Sequence, residues 1–254
     1  MSVDWEDRRA MLVQLLEREP YLSVSALARR FEVSEPTVRR DLRSLASTGK
    51  LLRVRGGAVS RQSAMAEWPF HARFEQRQQE KEQIAGLALE LVKPEMVVAL
   101  DIGTTPLYLA PWLAGMGITV VTPSIRAATL LAGGKAQVLV SGGRLRAGEL
   151  SLIGSAGLRF VRSFRFDIFF MSVGGVSERG LTDFNLDEIE MKQEVKLRSA
   201  QTYALADREK FGRSSGLVIC GIQEVNAILT DPGVDPGQRA AVEALGGHVR
   251  VARP

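Results

Sequence analysis

The loop Asp101-Ile102-Gly103-Thr104-Thr105-Pro106 carries the sharpest local chemistry in the chain. It follows the apolar run MVVAL (96–100) and opens a helical pattern. Gly103 permits an unusual backbone turn. The N–H groups and hydroxyls of Thr104 and Thr105 then sit at a helix N-terminus, which carries partial positive charge and suits a phosphate. A plain capped helix start fits G-T-T equally well. Other strand ends carry comparable residues: Thr122-Pro123-Ser124, Gly142-Gly143-Arg144, Gly174-Gly175 and Asp207-Arg208-Glu209-Lys210. Glycine pairs there would let a ligand approach the backbone closely, or would simply make turns. Glu188 and Lys192 stand at i, i+4 with the glutamate first, which fits a surface ion pair or a ligand-binding pair. Asp183 and Asn185 precede them in a turn that suits an N-cap.

A second set of groups lies nearer the N-terminus. Between Ser34 and Thr48, Val38, Leu42 and Leu45 share one helical face. At about 100° per residue the opposite face carries Pro36, Arg40, Arg43 and Ser47, flanked by Thr37, Arg39 and Ser44. The acids Glu35 and Asp41 are placed off that face. Arginine grips guanine bidentately or binds phosphate, and Ser34 and Thr37 at the helix start suit a phosphate oxygen or base edge. Arg53 and Arg55 follow on a hairpin that would reach the DNA backbone or minor groove. The competing reading is an αα-hairpin with a solvated basic face.

The elements that position these residues fall into two patterns. Residues 1–60 read as three short helices and a hairpin. Met11, Leu12, Leu15 and Leu16 form one face; Pro20 stops that helix. Ser25 is the expected cap of the second helix, which turns Leu27, Ala28 and Phe31 inward. The third opens at Ser34 and Pro36 and ends at Gly49. LLRVRGGAVS is a hairpin whose tip needs the torsions of Gly56 and Gly57. Residues 61–74 lack periodicity and read as a linker. From 75 to 254 continuous apolar strands alternate with helices, the pattern of a Rossmann-like, mostly parallel sheet covered on both faces. In such α/β folds ligands bind outside the carboxyl ends of the strands.

Composition fits this division. Residues 1–62 hold 12 basic and 8 acidic side chains, whereas 63–254 hold 21 of each; within 29–61 the count is 9 basic to 3 acidic. A basic patch beside a neutral remainder is the footprint of a nucleic-acid module joined to something else. Cys220 is the one cysteine and His71 and His248 the only histidines, which argues against disulfide, zinc site and Cys/His catalysis. No apolar run approaches the ~20 residues of a membrane span. The N-terminus has no signal-peptide core, so a cytoplasmic location is expected.

Residues 31–58, FEVSEPTVRRDLRSLASTGKLLRVRGGA, closely resemble the N-terminal signature of DeoR-family regulators: V-S-x-x-T-I-R-R-D-L, then L-x-x-x-G, then a basic hairpin ending G-G-A. Arg55 stands where that family often has histidine. Further landmarks are E-K-x-x-I-A near 80–85, D-x-G-T-T at 101–105, V-V-T at 120–122, G-G at 142–143, G-L-T at 180–182, E-x-x-x-K at 188–192 and L-x-D-x-x-K-F-G at 205–212. Pro123 replaces the usual asparagine. The resemblance implies DNA binding through the third helix, by Ser34, Thr37, Arg39 and Arg40. It also implies repression of catabolic operons by a homo-oligomer (dimer or tetramer) and a phosphorylated sugar or related effector.

The second domain type also resembles ribose phosphate isomerases and CoA transferases, so an isomerase-like enzyme with an accessory DNA-binding module is the alternative. Proton transfer would need a positioned carboxylate base, with Asp101, Glu188 and Lys192 as candidates. The isomerases' acidic cluster D-G-x-D-E is absent from the corresponding stretch, FDIFFMSVGGVSE, which favours a binding-only pocket. Polar strand-end loops argue against a purely DNA-organising scaffold. The expectation is therefore a regulator, not an enzyme, with no cofactor and no metal.

Overall fold

The computed structural model describes residues 5–18, 21–48, 51–54, 56–60 and 67–253. Pro20, Gly49, Arg55 and residues 61–66 of the expected linker lie outside them. The chain forms two compact units, Met1–Gln76 and Arg77–Pro254.

The first unit runs α1 (Trp5–Arg18), β1 (Tyr21–Ser23), α2 (Val24–Arg30), α3 (Glu35–Ser47), β2 (Leu51–Val54), β3 (Gly57–Ser60) and α4 (Phe70–Phe74). Its core comprises Leu12, Leu16, Leu22, Val24, Leu27, Phe31, Val38, Leu42, Leu45, Leu51 and Ala58. Met11, expected among them, is exposed. The strands form an antiparallel sheet in the order β1-β3-β2. Because β1 stays extended to Ser23, the cap of α2 is Ser23, whose Oγ accepts from Ala26 N at 3.1 Å, and not Ser25. The hairpin's two glycines do different jobs. Gly56 takes φ +82°, whereas a Cβ at Gly57 would meet the Leu22 carbonyl oxygen at 2.2 Å. Residues 70–74 were expected in a linker but form a helix. Phe70 and Phe74 stack one turn apart, and Arg73 Nε donates to the Trp68 carbonyl at 2.7 Å.

The second unit runs α5 (Gln78–Leu89), β4 (Val97–Leu100), α6 (Thr104–Ala114), β5 (Thr119–Thr122), α7 (Ile125–Leu131), β6 (Gln137–Val140), β7 (Arg144–Arg146), β8 (Ser151–Ile153), α8 (Ser155–Val161) and β9 (Phe166–Ser172). It continues through β10 (Gly175–Ser177), β11 (Gly180–Asp183), α9 (Leu186–Leu197), β12 (Ser199–Leu205), β13 (Leu217–Cys220), β14 (Ala227–Thr230), α10 (Pro236–Ala244) and β15 (Val249–Val251). Seven strands make a wholly parallel sheet in the order β15-β14-β12-β9-β4-β5-β6. Phe169, Phe170 and Met171 of β9 are buried, as a strand covered on both faces requires. Helices α5, α6 and α7 pack side by side, and α8 packs on α9; right-handed crossovers put the two groups on opposite faces. The run FDIFFMSVGG, read as one strand, breaks after Ser172, and β10 leaves for a separate antiparallel sheet with β11 and β13.

Chain order leaves β4 outward in one direction through β5 and β6, then resumes on its other side with β9. The switch point therefore lies between the carboxyl ends of β4 and β9, where Asp101 and Ser172 stand. It is the place where α/β sheets open a crevice for ligands.

Candidate functional site

Helix α3 is built to hold one face down and show the other. Ser34 caps it, accepting from Thr37 N, while the Ser34 and Thr37 hydroxyls bond each other at 2.9 Å. Pro36 occupies the first turn, where its missing N–H costs nothing. Val38, Leu42 and Leu45 are buried; Arg39, Arg40 and Arg43 are exposed, and Arg53 is exposed on β2. Arg40 has no hydrogen-bond or ion-pair partner among the described residues. Arg55, the remaining expected contact, is outside them.

The two acids of α3 behave differently from each other. Glu35, expected off the exposed face, is itself exposed and pairs with Arg39 at 3.1 Å, its partner one turn on. An exposed i, i+4 pair is weak and can yield to a phosphate. Asp41 is buried and accepts from Arg8 Nε at 2.6 Å, which ties α3 to α1 beneath the arginine face. Arg8 and Asp41 had not been paired from the sequence, because 33 residues separate them.

In the second unit the centre of the switch point is Lys192, whose side chain is fully buried. Its Nζ lies 2.6 Å from Asp101 Oδ2, 2.9 Å from Asp183 Oδ2, and 2.9 Å from both the carbonyl oxygen and Oγ of Ser172. Burial pushes the Asp101 carboxyl upward, against the Lys192 ammonium and the N–H groups of Ser172 and Ile102. Burial opposes the Lys192 charge too, but Asp101, Asp183 and Glu188 overcome it and hold the ammonium above its ordinary range. Three N–H donors facing four acceptors make the charged lysine the dominant species.

Of the two readings of Glu188 and Lys192, the surface ion pair does not form, because α9 turns both residues inward. Glu188 Oε1 instead accepts from Arg146 at 2.7 Å and from Ser151 at 3.0 Å. Asn185 caps α9 by accepting from Glu188 N. Gly103 sits beside this cluster with φ +114°, and a Cβ there would lie 2.8 Å from Ser172 Oγ. It is the N-cap of α6 and provides no side-chain cap, so the first-turn N–H groups at buried Thr104 and Thr105 have no side-chain acceptor from it.

The remaining candidates mostly serve their own loops. Thr122 Oγ1 accepts from Ser124 N, and Ser124 Oγ accepts from Ala127 N to cap α7. Gly142 and Gly143 both take positive φ, and exposed Arg144 pairs with Asp187 at 2.9 Å. Gly174 and Gly175 are approached closely, but by the protein itself: a Cβ would meet Ser215 Oγ at 2.5 Å or the Arg213 carbonyl at 2.4 Å. Asp207 caps the turn that carries Lys210, accepting from Glu209 N. The structure thus gathers Asp101, Gly103, Thr104 and Lys192, with Glu188 a turn away. It adds Ser172, Asp183, Arg146 and Ser151, which sequence reasoning had not placed in the site. Among the described residues no group of three or more His, Cys, Asp and Glu side chains is arranged to hold a metal ion, and no helix is long and apolar enough to cross a membrane.

A helix-turn-helix unit with an exposed arginine face, joined to an α/β unit with a polar switch-point cluster, defines a DNA-binding transcriptional regulator with a sensor domain. The DeoR-like helix-turn-helix domain model matches residues 8–64, and the DeoR C-terminal sensor domain model matches 76–232. The chain belongs to the DeoR family. It is 32% identical over 223 residues to the glycerol-3-phosphate regulon repressor of Escherichia coli (strain K12), covering 87% of this chain and 88% of that protein. It is 34% identical over 230 residues to the L-fucose operon activator of the same organism, covering 88% and 94%. A solved structure of ribose 5-phosphate isomerase A from Methanocaldococcus jannaschii aligns at TM-score 0.40 and 18% identity, over 52% of this chain and 54% of that one.

Proposed function

We propose that this regulator represses a carbohydrate catabolic operon and is released by a phosphorylated sugar or related metabolite. It works in the cytoplasm as a homo-oligomer, dimer or tetramer, with its recognition helices on paired operator half-sites. The observation that carries this reading is the α3 surface: Arg39, Arg40 and Arg43 point to solvent over a buried apolar face held down by Arg8 and Asp41. One relative is named a repressor of a glycerol-3-phosphate regulon, and the proposed effector class follows that name.

The effector phosphate is assigned to the N-terminus of α6, where Gly103 leaves the first-turn N–H groups without a side-chain acceptor and Thr104 and Thr105 add hydroxyls. Glu188, Gly142, Gly143 and Arg144 border the same strand ends and would meet the sugar. Lys192 acts behind the surface, holding Asp101 and Asp183 in place. This arrangement favours sensing over catalysis. An isomerase needs a carboxylate ready to take a proton, whereas Asp101 holds Lys192, and Glu188 holds Arg146 and Ser151.

The test is an electrophoretic titration on DNA from the regulator's own upstream region. Arg40→Ala should weaken binding by ~1–3 kcal/mol, roughly 5- to 150-fold. Unchanged affinity would remove Arg40 from the reading face. Phosphorylated sugars should release the wild type but not Thr104→Val, and a Thr104→Val protein still released would relocate the pocket. Turnover of a sugar phosphate by the purified protein would favour the isomerase reading. Tightening of the DNA complex by effector would favour an activator, the class named for the L-fucose relative.

A further inference from the structure

The exposed side of α5 shares a groove of about 670 Å³ with Trp112 and the segment Arg250–Arg253, which runs from β15 past its end. Its charges are sorted. Glu82 stands on the helix and Glu90 is its C-cap; Arg250 and Arg253 stand on or beside β15. None of the four side chains has an ion-pair or hydrogen-bond partner among the described residues. Two acids and two arginines thus line one groove without meeting each other.

The apolar part of the groove is also unfinished. Trp112 is 44% exposed on α6, Pro111 precedes it inside the helix, and its ring lies against Gly86 in the middle of α5. A helix-interior glycine destabilises a helix relative to alanine. Here the molecule's own packing does not demand it: φ is not positive, and a Cβ would stand 3.4 Å from the ring, ordinary contact. Exposed tryptophan and arginine are the residue types that anchor protein interfaces. Strand β15 is an edge of the seven-stranded sheet, paired only with β14.

We propose that this groove is where a second copy of the chain packs, related by a two-fold axis. Charge complementarity selects that occupant. An isologous interface brings each patch onto its own copy, so the glutamates of one protomer's helix face the arginines of the other's strand. Every charge in the groove then gains an opposite partner, and the Trp112 and Gly86 surfaces are covered. The inference rests on the reading that the regulator is a homo-oligomer. Its consequence is that α5, which begins at Gln78 directly after the boundary at Gln76, ties each DNA-reading unit to the interface through the chain itself.

The experiment is light scattering after gel filtration of the full chain at about 50 μM, with operator binding measured separately. The wild type should be oligomeric. Glu82→Arg with Glu90→Arg should halve its mass, and so should Arg250→Glu with Arg253→Glu, with thermal unfolding showing each variant folded. Mixing the two variants, one now all basic and the other all acidic in the groove, should restore the wild-type mass. The quadruple exchange should assemble alone. An oligomer whose mass neither pair alters, or variants that stay apart on mixing, would place the interface elsewhere and leave the oligomer reading standing. A monomeric wild type that still binds operator would overturn both the interface and the oligomer reading but not DNA recognition.

Discussion

Replacing Lys192 with methionine keeps the aliphatic stem and removes the ammonium from the switch point. Asp101 Oδ2 and Asp183 Oδ2 lie 2.6 and 2.9 Å from the same nitrogen, so the two oxygens are at most about 5.5 Å apart. Without Lys192 they face each other across a buried cavity. Two unit charges at ~5 Å repel by roughly 3 kcal/mol at an effective dielectric near 20. Breaking a buried pair costs about 3–5 kcal/mol in general. At roughly 2–4 °C per kcal/mol for a unit of this size, the melting temperature at pH 7.5 should fall by ~6–20 °C.

The pH dependence separates this cause from a packing defect. In the wild type the folded-state pKa of Lys192 is raised above its ordinary 10.5. Its own ionisation is therefore complete below that value and is lost only as pH rises through the folded-state value, so the lysine adds no pH dependence of its own between pH 5 and 9. In Lys192→Met the Asp101 carboxyl, already pushed up by burial, loses the ammonium that opposes that push. The repulsion between the two carboxylates is present at neutral pH and shrinks as pH falls toward the ordinary carboxylate range and Asp101 takes up a proton. Thermal unfolding of both proteins at pH 7.5 and 5.0, followed by near-ultraviolet circular dichroism, measures the difference. A gap that narrows in acid supports the ion-pair account. A gap of the same size at both pH values, or one under about 1 kcal/mol at pH 7.5, would refute it.

Two further outcomes rest on single contacts. Asp41→Leu removes the carboxylate 2.6 Å from Arg8 Nε and should cost the first unit about 3–5 kcal/mol, with most of the loss recovered by adding Arg8→Met; a single variant as stable as wild type in thermal unfolding would show that the pair does not lock α3. Burial pushes the Cys220 thiol up to about 11, with Glu224 adding and Lys196 opposing. At pH 8 it holds about a hundredfold less thiolate than an ordinary thiol of pKa 9.0, so Ellman's reagent should label it slowly until the chain is unfolded. Prompt labelling of the folded protein would contradict that burial.

How much of this was readable in advance depends on how far apart the interacting groups stand. The α3 start was legible because Ser34, Pro36 and Thr37 act within one turn, and its buried face because a 3.6-residue period is a local property. The parallel sheet was legible because strands covered on both faces are continuously apolar. The cap of α2 was misplaced because Ser23 and Ser25 are equivalent by type. What decides between them is pairing of β1 with β3, more than thirty residues downstream. The switch-point cluster has the same cause on a larger scale. Asp101 and Lys192 are 91 residues apart and Asp101 and Ser172 are 71 apart. Glu188 and Lys192 look identical whether their helix faces water or a sheet, since i, i+4 spacing records only that they share a side. The deciding fact is that β9 returns to the opposite side of β4. That step brings the Ser172 carbonyl, the Asp101 carboxylate and the inner face of α9 to one point, and a lysine becomes affordable there only because carboxylates from two different strand ends arrive with it.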